Sequence, residues 1–330
     1  MNFVAAGLSN PSSETVPRRA RSVRRTSHID ILFDGPFVGG RLVLSGRARD
    51  LKTDAEGVAL ELDAATVTAH IDEERRLRSL VVTPREDATT GLIGRAVAKG
   101  FRAAVDSLLP PARHHSPLYL LLDDLPVATL ISGYAALYDA GTPGAGTGQD
   151  MRAGLLKADI CSGWRSDGTM IVALRAGLPM PAPVGPGAPS LARTDDPLAW
   201  HDIPPLAPRA MRRRRLVDVT WGDPLVVAAM FRDTHTSAEG EETVLHEYSV
   251  DVTVDPTALT VLSAVATPRS LPWAECPSAA QSARRLEGHP LGDVRELVRR
   301  ELAGISTCTH LNDLLRSLAD ITVLAPALAD

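Results

Sequence analysis

The chain has almost no lysine. Only Lys52, Lys99 and Lys157 occur, so 32 of its 35 basic residues are arginine. Cysteine is equally scarce. Cys161, Cys276 and Cys308 in 330 residues are too few for a disulfide framework and fit a reducing compartment. No apolar run approaches the roughly 18 residues of a membrane span, and Phe3 to Leu8 is too short for a secretory leader. The arginines between Arg18 and Arg25 precede the polar, strand-like Thr26-Ser27-His28-Ile29-Asp30, not the apolar stretch of a twin-arginine signal. These absences predict a cytoplasmic protein without a membrane partner. A net charge of -5 gives no general attraction to nucleic acid. There is no Walker loop, no dinucleotide-binding glycine fingerprint and no H-E-x-x-H helix. What is present, 44% hydrophobic and 23% charged residues, is ordinary for a globular protein, and the length favours two domains.

The two halves echo each other. Arg25 and Asp30-Ile31 return as Arg213 and Asp218-Val219, 188 positions later. RLVLSGRARDL, with Asp50, returns as LVVAAMFRDT with Asp233, at an offset of 183. The stretch ending at Pro84 returns as the stretch ending at Pro268, at an offset of 184. Near-constant offsets in the same order argue for duplication. Each copy begins with period-2 segments, such as Leu42 and Leu44, or Val250, Val252 and Val254, as half-buried strands do. A hairpin is expected from Val250 to Thr267 with a turn at Asp255-Pro256, and its counterpart turns at Asp72 to Arg75. Each copy then changes to helical spacing. Leu92, Ile93, Ala96, Val97, Phe101, Val105 and Leu108 share one helical face before Pro110-Pro111. Helices are also expected over Pro277–Leu286, Val294–Leu302 and Thr309–Leu318.

The predicted fold class is therefore α+β: two tandem related copies, each of antiparallel strands followed by helices, joined by a Gly/Pro-rich segment. The predicted divisions are a disordered tail at 1–17, an N-terminal copy at 18–139, a connecting segment at 140–208 and a C-terminal copy at 209–330. MPAPVGPGAPS (180–190) cannot form a regular element. The connecting segment nevertheless holds Cys161, Trp164 and Trp200-His201, a composition that predicts docking on the domains. RRARSVRR (18–25) and RAMRRRRL (209–216) read as solvated charge flanking each domain, with Arg25 and Arg213 as candidate structural ion-pair formers. Asp123-Asp124 are adjacent carboxylates whose side chains need not converge.

Only the second copy carries reactive groups: His246-Glu247-Tyr248 at the hairpin, Glu275-Cys276 after it, and Cys308-Thr309-His310 at the last helix. A borderline-soft ion such as zinc takes thiolate and imidazole ligands, so Cys276, Cys308, His246 and His310 are candidate metal ligands. Glu247 and Asp233 are candidate proton carriers. The separations of 30 and 32 residues between His246, Cys276 and Cys308 are unlike compact Cys-x-x-Cys knuckles. Buried structural cysteines and a bare thiol nucleophile therefore stay open beside the metal reading. Cys308 and His310, two apart, point about 200° apart on a helix, which suits a nucleophile–base pair badly.

CTHLNDLLRSLAD resembles the closing G-C-T-H-L motif of a bacterial family known only as a domain of unknown function. RRTSHIDI, SGRARDL, HEYSVDVTVD and LPWAECP resemble its other blocks in order, while LLLDDLP, DICSGW and DDPLAWHDIP resemble a longer two-copy actinobacterial version. Thr307 stands where that motif has glycine, and His246-Glu247-Tyr248 replaces its usual H-D-M. More distantly, the order of hairpin, Cys276 helix and Cys308 helix resembles the U-type iron–sulfur scaffold fold. That resemblance implies a zinc or cluster site at Cys276 and Cys308, with His246 or Glu247 where the first ligands fall. The scaffolds' first cysteine has no counterpart here, and His310 follows the last cysteine instead of preceding it. The functional expectation is a zinc-type metalloenzyme, a hydrolase or lyase acting on a small organic substrate. A non-catalytic metal-binding or scaffold-like protein and a cysteine-nucleophile enzyme are the alternatives. No nucleic-acid partner is expected, and a homo-oligomer is open.

Overall fold

Segments that alternate apolar and polar residues expose paired backbone edges, and here they assemble into one sheet. A computed structural model describes residues 3–35, 39–139, 156–178 and 181–328. Its nine-stranded sheet has the order β2 (Leu8–Ser9), β11 (Val261–Leu271), β10 (Glu242–Val254), β9 (Leu225–Thr236), β8 (Met211–Thr220), β3 (Ser22–Asp34), β4 (Arg41–Thr53), β5 (Ala59–Ile71) and β6 (Leu77–Thr83). Every neighbouring pair is antiparallel. Two four-stranded meanders, β3 to β6 and β8 to β11, thus meet through their first strands at the centre. A separate parallel pair joins β1 (Phe3–Ala5) to β7 (Ala182–Val184).

The helices cover one face. α1 (Phe101–Leu108) and α2 (Pro117–Asp139) follow β6; α4 (Val294–Glu301), α5 (Thr309–Ser317) and α6 (Ile321–Leu324) follow β11, after a 3-10 segment at Cys276–Leu286. The architecture is mixed α+β with an antiparallel sheet. The apolar core under each helix set borrows from the other half: Val23 joins the C-terminal cluster, and Met211 and Leu245 join the N-terminal one.

Several expectations change. The helix foreseen from Leu92 starts only at Phe101, because Gly94 and Gly100 take positive φ of 84° and 91° and break the path. The leucine-rich stretch after Pro117 is the 23-residue α2. By length and composition its window Pro117–Ala135 could cross a membrane, yet 78% of that window is buried inside the fold. At Gly46 a Cβ would sit 3.1 Å from Leu121 Cδ2, so this glycine lets α2 lie close on β4. Residues 1–17, expected as a disordered tail, supply β1 and β2, and Leu8-Ser9 extends the sheet beside Ser270-Leu271. The connecting segment contributes α3 (Thr169–Arg175), whose Met170, Ile171 and Leu174 enter the C-terminal core, while Leu191, Ala199 and Trp200 pack on the sheet's other face with Leu216 and Met230.

The largest change concerns arginine. Arg24, Arg25, Arg212, Arg213 and Arg215 are among the most deeply buried side chains, not solvated flanks. Their strands are central and both faces are covered, so alternation sends every second arginine into each layer. Toward the helices, Arg25 donates Nε and Nη2 to both oxygens of Asp50 (2.7 and 2.6 Å) and Nη1 to Asp320 (2.9 Å) and to the His115 carbonyl (2.6 Å). Arg215 meets Asp124 at 2.6 Å and donates to the Asp313 carbonyl. On the opposite face, Arg212 grips Asp30 through Nε and Nη2, and Arg24 pairs with Asp218.

Asp123 of α2 is a further dense junction. It lies within ion-pair distance of Arg102, Arg295 and Arg316, at 3.6, 3.2 and 2.9 Å, two of them from the C-terminal half. Its pKa falls well below the usual carboxylate range: burial opposes the charge, and the arginines outweigh it. Removing one member of a buried ionic set leaves the others unpaired, at about 3–5 kcal/mol. Asp123→Ala should therefore lower unfolding stability by about that amount in urea titration; a loss under about 1 kcal/mol would show that water readily replaces the carboxylate.

Candidate functional site

β9 and β10 bring Asp233 and His246 opposite each other in the sheet, next to a register irregularity between Val244 and His246. α5 supplies the third member. Cys308 is its extended N-cap, so His310 enters as the second helical residue and faces the strands. The His310 ring stacks on His246, with centroids 4.0 Å apart and planes 17° apart, and lies 6.4 Å from the Phe231 ring. One ligand atom each from Asp233, His246 and His310 lies within 4.8 Å of the others. His246 Nδ1 is 3.7 Å from Asp233 Oδ2, and the His246 side chain is 18% exposed, so this corner of the core reaches solvent.

Its unmet bonding is the decisive feature. Both Asp233 oxygens, all three Arg213 guanidinium nitrogens and His246 Nδ1 are buried without a hydrogen-bond partner. Arg213 Nε comes only to 3.5 Å from Asp233 Oδ1, with the guanidinium 4.8 Å over the Phe231 ring. Arg25 and Asp50 occupy the same cross-strand relation on β3 and β4, and there every guanidinium nitrogen is used. A buried polar atom left unpaired costs about 1–3 kcal/mol, more when charged, so these atoms would gain from an added partner.

The electrostatics agree. Burial pushes the Asp233 carboxyl up to about 6, against the pull of Arg213 and Arg215. Burial, then the same two arginines, lower His310 to about 3. His246 is also lowered, by burial, His310 and Arg213. At neutral pH the group thus offers one carboxylate and two neutral imidazoles, the form in which these side chains bind a divalent ion.

The sequence candidates separate. His246, His310 and Asp233 converge. Glu247 does not: strand alternation turns it to the other face, where it accepts from Arg232 Nε at 2.7 Å and from the Ser12 backbone N–H at 2.9 Å. Cys276 and Cys308 lie outside the Asp/His group, although Cys308 Sγ comes to 3.9 Å from His310 Nδ1. The thiols sit in the C-terminal core. Gly163 packs so tightly on Cys276 that a Cβ would stand 2.8 Å from its sulfur, and the Tyr248 hydroxyl donates to the Cys276 carbonyl at 3.1 Å. Burial pushes Cys308 up to about 12, and raises Cys276 and Cys161 as well. Arg213 is the site residue that sequence reasoning left as a structural ion-pair former. The β8–β9 register sets it opposite Asp233.

Residues 211–324 match the model of a family described as protein of unknown function (DUF2889). No curated protein and no solved structure matches the chain. The DUF2889 match runs from the first residue of β8 to the last of α6 and contains Asp233, His246, His310, Cys276 and Cys308, but neither Cys161 nor the strands β3 to β6.

A cleft of about 710 Å³ opens between the two helix sets, lined by Arg102, Thr129, Asn312, Asp313 and Arg316 among others. It shares α5 with the Asp/His group, although none of the three group residues lines it.

Raised thiol pKa values carry a direct consequence. With Cys308 near 12, alkylation by iodoacetamide at pH 8 should be about 10³-fold slower in the native protein than after unfolding. Rapid native labelling of Cys308 would contradict this and restore the nucleophile reading.

Proposed function

We propose that the chain is a metal-binding protein whose centre is Asp233, His246 and His310, and that it acts as a zinc-type metalloenzyme, a hydrolase or lyase, on a small organic substrate in the cytoplasm. The observation that carries this is the buried, unpartnered set of Asp233 oxygens and His246 Nδ1 beside a second neutral imidazole. Two nitrogens and one oxygen make a common three-ligand set that leaves a position for water or substrate. Bound there, a zinc-type ion would supply Lewis acidity. The chain's own contribution is orientation. β9 and β10 fix Asp233 against His246, α5 brings His310 over them, and the unpaired donors of Arg213 can hold an oxygen of the substrate. The neighbouring cleft has the volume of a small-molecule site.

The reading includes a duplicated origin. Arg24 pairs with Asp218 and Asp30 with Arg212 across the central strands. An offset of 188 turns one pair into the other, which is what two related copies meeting about a local two-fold would produce. On that view Arg25–Asp50 is the sealed counterpart of the open Arg213–Asp233.

Metal analysis of untagged protein tests the centre. Wild type should hold about one equivalent of a transition metal. Asp233→Asn and His310→Ala should each lose most of it, while Cys308→Ala keeps it. Equal metal in all four, or none in wild type, would sink the proposal. Loss in Cys308→Ala alone would move the ligands to the thiols, as the scaffold-like alternative requires.

A further inference from the structure

The sheet's other face carries a second imbalance. Register places Arg47 of β4, His28 of β3, Arg214 of β8, Arg232 of β9 and Glu247 of β10 in one cross-strand row. Like charges opposite each other on neighbouring strands repel. Of these arginines, Arg232 is compensated, by Glu247 and by the carbonyls of Pro189 and Ser12. Arg47 and Arg214 form no ion pair with any of the described residues. Arg49, two residues along β4 from Arg47 and 6% exposed, donates one bond, to the Leu198 carbonyl at 2.7 Å. The Nε atoms of Arg49 and Arg214 are buried with no partner.

The connecting segment runs over these three guanidiniums and lines a partly open cavity of about 520 Å³, walled by Arg47, Arg49, Arg214, Leu198, Trp200 and His201 and bordered by Asp202. Asp196 at its edge is already taken by Arg18 at 3.1 Å. His201 adds no charge. Its Nε2 shares a 2.7 Å hydrogen bond with His28 Nδ1, its Nδ1 meets the Thr26 hydroxyl at 2.8 Å, and burial with the surrounding cations keeps both rings neutral, His28 lowered to about 4.

We propose that this cavity is a binding site for a small organic phosphate, a phosphate monoester whose dianion is held by Arg47, Arg49 and Arg214. Guanidinium forks match phosphate oxygens in pairs and shed water more readily than ammonium groups do. Three cations without a close ion pair, Arg49 and Arg214 feeling only the more distant Glu61 and Glu242, suit a dianion better than a monoanion. The volume exceeds what a bare ion needs, and Leu198 and Trp200 give the organic body an apolar wall. The site shares no residue with the Asp/His group and does not depend on metal there.

Calorimetric titration with phenyl phosphate, inorganic phosphate and benzoate tests it. Phenyl phosphate should bind with Kd below about 1 mM, and benzoate about tenfold or more weaker. Arg47→Gln, at the partly exposed rim, and Arg214→Gln should each weaken phenyl phosphate about tenfold or more, while the unliganded proteins melt at or above the wild-type temperature because repulsion is relieved. No heat from phenyl phosphate together with no thermal shift at about 10 mM ligand would overturn the proposal. So would affinity unchanged in both variants, or benzoate binding as tightly as phenyl phosphate.

Discussion

Arginine on the two central strands is the constraint to which the rest of the structure answers. β3 and β8 pair at the middle of the sheet with both faces covered, and five of their arginines are almost wholly buried. A buried guanidinium without an acceptor is expensive, and one with a paired carboxylate is tolerable. The acceptors come from across the molecule. Asp320 of the C-terminal half completes Arg25 of the N-terminal half; Asp124 of the N-terminal half meets Arg215 of the C-terminal half; Asp123 collects Arg295 and Arg316. The scarcity of lysine fits this use, since a planar fork with five donors can satisfy two carboxylates and a carbonyl at once, as Arg25 does.

Against that background of satisfied charge, the places where compensation stops are informative. On the helix face one such place is Arg213 and Asp233, where all three guanidinium nitrogens and both carboxylate oxygens are unpaired beside two imidazoles held neutral. On the opposite face compensation stops at Arg47, Arg49 and Arg214 beneath the connecting segment. The first corner sets unpaired carboxylate and imidazole acceptors beside Arg213 and suits a cation; the second gathers three arginines, with Asp196 and Asp202 at its border, and suits an anion. Both lie on the rows that run across β3 and β8, so the device that forces charge into the sheet also creates the vacancies.

The sequence made the strands legible because Val250, Val252 and Val254 alternate openly and Asp255-Pro256 marks the turn. It made Asp233 and His246 visible as reactive types and set Arg213 beside Arg25, and Asp233 beside Asp50, as separate echoes. It could not show that the arginine runs were buried, because that depends on which strand becomes central, a consequence of β3 pairing with β8 over nearly 190 residues of separation. In the sequence Glu247 reads as a site residue through its neighbour His246, although strand alternation parts adjacent residues. The cysteines drew attention as soft ligands, yet Cys276 and Cys308 are raised, neutral thiols in an apolar core. His310 joined Asp233 through the docking of α5 on the sheet, a contact that no local spacing encodes.

The central claim is that each half carries buried charges whose partners lie in the other. Residues 209–330 expressed alone, which include the whole DUF2889 match, test it most directly by amide NMR dispersion and sedimentation. With Arg213, Arg215 and the β8 edge uncovered, and Asp320 deprived of Arg25, the account predicts no folded monomer. A monodisperse monomer with a well-dispersed spectrum would contradict it.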